Sequence, residues 1–282
     1  DVDFDHCVFD KVDLFLEQST SLTDMKQLEY TNIIPKMNSV NIQGYQDPAV
    51  MDALFSLLSN STIHILNIKS SNLSKWFEHI KPIGPSLREI AVDQCVTNYT
   101  TITTISEYCP YLEKLSCSSI SRLIGNNILQ SIAYNCPHLR SLSILVNYLS
   151  YAGADADLTA FAEKCPQLEE LSLNCQQLTD QSVIALAQHC SRLKKLKSDR
   201  YKLTAASLIA LSERGLPLEK LGIPRIPTLS AEIAAQCAHA LSRIRWLTTH
   251  RTYGSMEDVR YALQYMTGLH ELYLNSSVDH LL

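Results

Sequence analysis

The sequence predicts an α/β solenoid, a horseshoe with a parallel sheet on its concave face and helices on its convex face. Three observations predict it: a six-residue apolar frame that recurs along the whole chain, a helical segment after each copy, and a charge that alternates in sign from copy to copy. The reference frame is Leu168-Glu-Glu-Leu171-Ser-Leu173. The same frame stands at Leu112–Cys117, Leu139–Ile144, Leu193–Ser198, Leu218–Ile223, Ile244–Thr249 and Leu269–Leu274. With Ile, Val and Met admitted it also stands at Met37–Ile42, Ile63–Ile68 and Leu87–Val92, and Phe9–Leu14 is read as the first copy. Successive starts lie 24 to 29 residues apart, so residues 1–282 are expected to form a single domain of ten or eleven repeats.

Each frame is expected to be a strand. Its fourth and sixth residues lie two apart and so point to one side of an extended chain. The residues between them are mostly polar, as at Ser116, Ser143, Ser172 and Lys197. The second residue of each frame tests the register independently. Arg88, Glu113, Arg140, Glu169, Lys194, Glu219 and Arg245 alternate in sign, so strands lying side by side about 4.8 Å apart would set each charge between two opposite ones.

The segments between frames have helical spacing. In Asp180–Cys190 the residues Val183, Leu186, Ala187 and Cys190 form one face, and Thr179 or Asp180 suits the N-cap. Equivalent helices are expected at Asn127–Cys136, Asp157–Cys165, Ala205–Arg214, Ser230–Leu241 and Ser255–Met266. Cys109-Pro110, Cys136-Pro137 and Cys165-Pro166 mark helix ends, because proline cannot continue a helix. Helices are wider than strands, which places them outside.

The run Cys165-Pro-Gln-Leu168-Glu-Glu-Leu171-Ser-Leu173-Asn-Cys175-Gln-Gln-Leu178-Thr179-Asp180, followed by Leu186-Ala187-Gln-His-Cys190, resembles the cysteine-containing leucine-rich repeat. The likeness is closest over residues 100–225; Cys175 comes one residue early, and Gly215 and Met266 stand where the helix-end cysteine is expected. This class is best known from F-box proteins that recruit substrates to cullin-based ubiquitin ligases. The resemblance therefore implies the repeat domain of an F-box/LRR substrate receptor, with a cullin adaptor as partner if an F-box lies upstream. Such repeats also occur without an F-box, so a structural or assembly subunit of a larger complex is the alternative.

Composition narrows the class. Hydrophobic residues make up 46% of the chain, enough for a continuous core, and no apolar run approaches a membrane span. A net charge of −5 disfavours nucleic acid as a partner. The chain opens with Asp and shows no signal peptide, which leaves room for a preceding F-box or targeting segment. Of nine cysteines, Cys109, Cys136, Cys165 and Cys190 share one repeat offset. Stacked at helix ends about 8–10 Å apart, they would be too distant for disulfides and too linear for zinc. They are expected to be buried thiols, and the odd number predicts a reducing compartment, cytoplasmic or nuclear. Four Asn-x-Ser/Thr sequons, at Asn60, Asn72, Asn98 and Asn275, point the other way and weigh less than the cysteines.

No phosphate loop, G-x-S-x-G, H-E-x-x-H or C-x-x-C occurs, so we expect no enzyme, no cofactor and no metal. What remains is a surface for a protein substrate or a complex subunit. Of the outward strand positions, those near residues 112–144 are mostly serine, whereas the last repeats carry Lys195, Lys197, Lys220, Trp246 and Tyr273. Trp246 is either an interface anchor or packed under the final repeat. Seven residues after successive frame starts come Arg200, Arg225 and Arg251, with His250 beside the last. This row is either a seat for an acidic or phosphorylated partner or a solvated rim. After Leu274 only eight residues remain, which leaves the last core layer thinly covered.

Overall fold

The computed structural model describes residues 12–17, 19–29, 37–44, 47–69, 77–95, 99–120, 128–149, 153–175, 178–198, 203–223, 229–250 and 256–275. They fall into two compact units, Asp1–Leu139 with Leu145–Asn147, and Arg140–Ile144 with Tyr148–Leu282.

The first unit alternates strands and helices: β1 (Val12–Leu16), α1 (Leu22–Glu29), β2 (Met37–Gln43), α2 (Pro48–Leu58), β3 (Ile65–Lys69), β4 (Glu89–Asp93), α3 (Tyr99–Tyr108), β5 (Lys114–Ile120) and α4 (Ile128–Asn135). Two 3-10 turns, Phe77–Ile80 and Gly84–Ser86, fill the gap between β3 and β4. Neighbouring strands are parallel and in frame register, Val40 opposite Leu66, Leu66 opposite Ile90, and Ile90 opposite Leu115. All four are buried, as the fourth frame position requires. The first copy needs a correction. Leu14 pairs with Val40 and Leu16 with Ile42, so the fourth and sixth frame positions fall at Leu14 and Leu16, two residues later than Phe9–Leu14 places them, while a register shift after Val12 leaves Val12 opposite Met37. A shift of two keeps the same residues on the same face, so alternation alone cannot detect it. Gly84 is fixed by crowding, since a Cβ there would lie 2.2 Å from the Tyr108 carbonyl oxygen at the end of α3.

The second unit continues with β6 (Ser141–Leu149), α5 (Ala154–Lys164), β7 (Glu170–Cys175), α6 (Asp180–His189), β8 (Lys195–Lys197), α7 (Ala205–Glu213), β9 (Lys220–Gly222), α8 (Ala231–Gln236), α9 (Ala238–Arg243), β10 (Trp246–His250), α10 (Met256–Tyr265) and β11 (Glu271–Asn275). Leu142, Leu171, Leu196, Leu221, Leu247 and Leu272 stand opposite one another across the parallel strands. The first five are buried, while Leu272 on the last described strand is 40% exposed. The single helix expected at Ser230–Leu241 is two helices, broken at Cys237, where ψ is −1°. Parallel strands alternating with helices at one repeat length make this an α/β leucine-rich-repeat solenoid.

The helix-end cysteines are buried thiols. In the first unit Cys136 Sγ donates to the carbonyls of Ser106 and Cys109 at 3.6 and 3.4 Å, and in the second Cys190 Sγ donates to those of Ala162 and Cys165 at 3.8 and 3.7 Å. Each thiol thus caps carbonyls of the preceding repeat's helix end, and burial pushes both Cys136 and Cys190 up to about 12.

The helix starts of the second unit are tied by a carboxylate ladder that the sequence pattern only hinted at. Thr179 caps α6 by accepting from Gln181 N–H, as expected for an N-cap threonine. Its own N–H and hydroxyl donate to Asp155 at 2.9 and 2.7 Å, and Ser182 donates to the same carboxylate. One repeat on, Thr204 caps α7 and donates to Asp180 at 2.8 and 2.6 Å, joined by Ser207. Burial raises the Asp180 pKa, but the hydrogen bonds from Ser207 and Thr204 outweigh it and hold the carboxyl below its ordinary value. The ionised form is therefore preferred in the folded state, so its stabilisation is full above the unfolded aspartate pKa and is lost as pH falls through the folded one. Asp180→Ala is expected to cost about 2 kcal/mol at neutral pH, because it strands the buried Ser207 hydroxyl. In urea melts across pH, the gap to wild type should shrink below about pH 4. A gap that stayed constant into acid would remove the carboxylate from the explanation.

Candidate functional site

Parallel pairing sorts the outward side chains of β7–β11 into two rows. The first runs Glu170, Lys195, Lys220, Trp246, Glu271, and the second runs Ser172, Lys197, Gly222, Thr248, Tyr273. Five of the residues singled out in the sequence, Lys195, Lys197, Lys220, Trp246 and Tyr273, thus share one face. Lys195 is half-buried rather than exposed, and its ammonium lies 3.5 Å from Glu170, its partner in the row on the neighbouring strand β7. Lys220 is exposed. The stem of Lys197 crosses the neighbouring strand over Gly222, where a Cβ would meet Lys197 Cγ at 2.6 Å, so the glycine makes room for the lysine. Neither Lys197 nor Lys220 has an ion pair among the described residues.

Trp246 lies between the two alternatives. Its ring is half-buried and packs against Tyr273 at 5.7 Å with a 50° tilt, leaving Tyr273 52% exposed. The Tyr273 hydroxyl donates to Glu271 at 2.8 Å, and this bond to a carboxylate raises the phenol pKa. The pair presents an aromatic wall beside the lysines, with the small residues Gly222 and Thr248 on the adjoining strand positions. Thr248 Oγ1 is buried there without a hydrogen-bond partner among the described residues. Glu170 and Glu271 bracket the lysines, so the face is less cationic than a list of its basic residues suggests. Arg200, Arg225 and Arg251 lie outside the described residues; the backbone of His250 ends β10 opposite Asn275.

The alternating charges at the strand starts pair in part. Glu169 receives Lys194 at 2.7 Å and Arg140 at 3.3 Å, and the Lys194 hydrogen bond leads in holding its carboxyl below the ordinary value. Arg88 turns instead to the carbonyls of Pro85, Ser86 and Leu87, with its guanidinium 5.1 Å from the Tyr111 ring. In the first unit the strand face carries a hollow of about 310 Å³ that the sequence did not announce. Phe15, 72% exposed, forms one wall, and Asn67 donates to Asn41 at 2.8 Å across its floor. No group of three or more His, Cys, Asp or Glu suited to a metal occurs among the described residues, and none of their helices is long and apolar enough to cross a membrane.

No family model matches the chain, and no curated protein matches it. Among solved structures it is similar to a chain of the Rad7 and Elc1 complex in yeast, at 13% identity and a TM-score of 0.47, over 93% of this chain and 80% of that one. It is also similar to a chain of the TLR13–ssRNA13 complex, at 13% identity and a TM-score of 0.40, over 94% of this chain and 44% of that one. At those values neither likeness bears on what the site does.

Proposed function

We propose that the chain is a non-catalytic protein-recognition module, the substrate-binding repeat domain of a cullin-based ubiquitin ligase receptor. Its partner is an acidic or phosphorylated protein segment that lies along the strand face of β8–β11. The observation that carries recognition is the convergence of Lys197, Lys220, Trp246 and Tyr273 on adjacent strands of one face. Lysines attract the acidic segment, and the aromatic pair supplies the apolar anchor that interfaces concentrate in Trp and Tyr. Lys195, His250 and the arginines Arg200, Arg225 and Arg251 complete the proposed surface. The cysteine-containing repeat pattern supports the ligase role.

Changing Arg200, Arg225 and Arg251 together to Glu is expected to weaken partner binding more than tenfold, since reversal opposes each contact. Thermal stability should be nearly unchanged, as rim charges contribute little to it. If the triple variant folds and binds its partner as wild type does, the row is solvated rim. Co-purification of the full-length protein with a cullin adaptor tests the ligase role; recovery in a stable complex without one supports an assembly subunit instead.

A further inference from the structure

A second site stands in the second unit, away from the strand face, where helices end and strands begin. A hollow of about 380 Å³ is lined there by Pro217, Glu219, Arg243, Arg245, Gly268 and His270, with Ser242 at its edge. The residue just before each frame is Tyr111, His138, Gln167, Arg192, Pro217, Arg243 and then Gly268. Gly268 carries no side chain at this position, and a Cβ there would lie 2.9 Å from the Ser242 carbonyl oxygen, so the glycine is required by a close backbone approach at the wall of the hollow.

Two arginines line this space. Arg243 closes α9 and Arg245 precedes β10, with the fully buried Ile244 between them, and both arginines are exposed. Register is held by backbone bonds, Arg245 N–H to the Glu219 carbonyl and His270 N–H to the Arg245 carbonyl, both 2.8 Å. Elsewhere along the strand starts the long cations are occupied: Arg88 by carbonyls, Arg140 and Lys194 by Glu169, and Arg192 by Gln167 at 3.2 Å. Arg243 and Arg245 have no such partner among the described residues, although sign alternation places Glu219 one repeat before Arg245. Two guanidiniums against one carboxylate leave a net charge of +1 before His270 is counted.

We propose that this cleft binds a phosphate monoester, gripped by Arg243 and Arg245 and flanked by His270. Each guanidinium offers a planar fork that needs its own pair of acceptors. A phosphate monoester presents three terminal oxygens and can serve both forks, whereas a carboxylate's two oxygens saturate with one. Glu219 opposes the anion and keeps the affinity modest. The site is independent of the strand-face surface, and either can fail without the other.

The test is arginine side-chain NMR of the whole chain, following the Nε–H signals during titration at constant ionic strength. The probes are inorganic phosphate, a short phosphoserine peptide, the same peptide unphosphorylated, and acetate. Arg243 and Arg245 should shift together and saturably with both phosphate probes, and Arg140 and Arg192 should not. Tighter binding of the phosphopeptide than of inorganic phosphate assigns the group to a protein side chain; equal binding assigns it to free phosphate. Glu219→Gln should tighten binding about two- to fivefold by removing one neighbouring like charge, and Arg243→Ala with Arg245→Ala should abolish the saturable phase while leaving the fold intact. Shifts that never saturate, that affect Arg140 and Arg192 equally, or that acetate reproduces would overturn the proposal.

Discussion

Phe161→Ala should lower the unfolding free energy by about 3–5 kcal/mol, the range for removing a fully buried aromatic ring from a core that cannot collapse around the void. Phe161 sits on α5 with no exposed surface, among the largest wholly buried side chains of the protein. In a solenoid each repeat is supported chiefly by its neighbours, so a void in one layer also weakens the docking of the next. Tyr134→Ala is the matched control, because that ring is 83% exposed and its loss should change stability by less than about 0.5 kcal/mol. Urea unfolding of the two variants separates the cases. A loss below about 1 kcal/mol at Phe161 would mean that α5 does not carry the core of its unit.

Reversing Lys197 and Lys220 together to Glu should reduce affinity for the protein partner more than tenfold, about 1.4 kcal/mol or beyond. Both ammoniums lack an ion pair among the described residues, so reversal replaces attraction by repulsion without breaking one. Wild-type affinity should fall as salt is raised, because exposed charges are screened over about 8–10 Å at physiological ionic strength. Lys164→Glu, on an exposed helical position of the same unit, should bind as wild type does. Unchanged binding in the double variant would remove the lysines from the surface.

How much of this was legible in the sequence follows from which residues carry repeated information. The fourth frame position is legible because Leu171, Leu196, Leu221 and their counterparts recur at one offset, and period-two alternation then sets which face is buried. The placement of the first copy is not, because Phe9–Leu14 and a frame two residues later have the same alternation and only pairing with β2 separates them. The break at Cys237 has no Gly or Pro to announce it. Ion pairing was half legible. Sign alternation places Arg140, Glu169 and Lys194 correctly, but Arg88 prefers nearby carbonyls and an aromatic ring, a choice made by local geometry. At the candidate surface, sequence identified which lysines share a face, yet not that Glu170 takes Lys195 or that Tyr273 covers part of Trp246. The carboxylate ladder was within reach: Thr179 and Thr204 are each followed three residues later by a serine, and Asp155 and Asp180 lie 24 residues before them.

The most direct measurement of the recognition surface is a binding panel of neutral, acidic and phosphoserine peptides of equal length, run on wild type and on the Lys197→Glu, Lys220→Glu double variant. Acidic and phosphorylated peptides should bind wild type in preference to neutral ones, lose affinity with added salt, and lose that preference in the variant. A wild type indifferent to peptide charge, or a variant that keeps the acidic preference, would contradict recognition on the strand face.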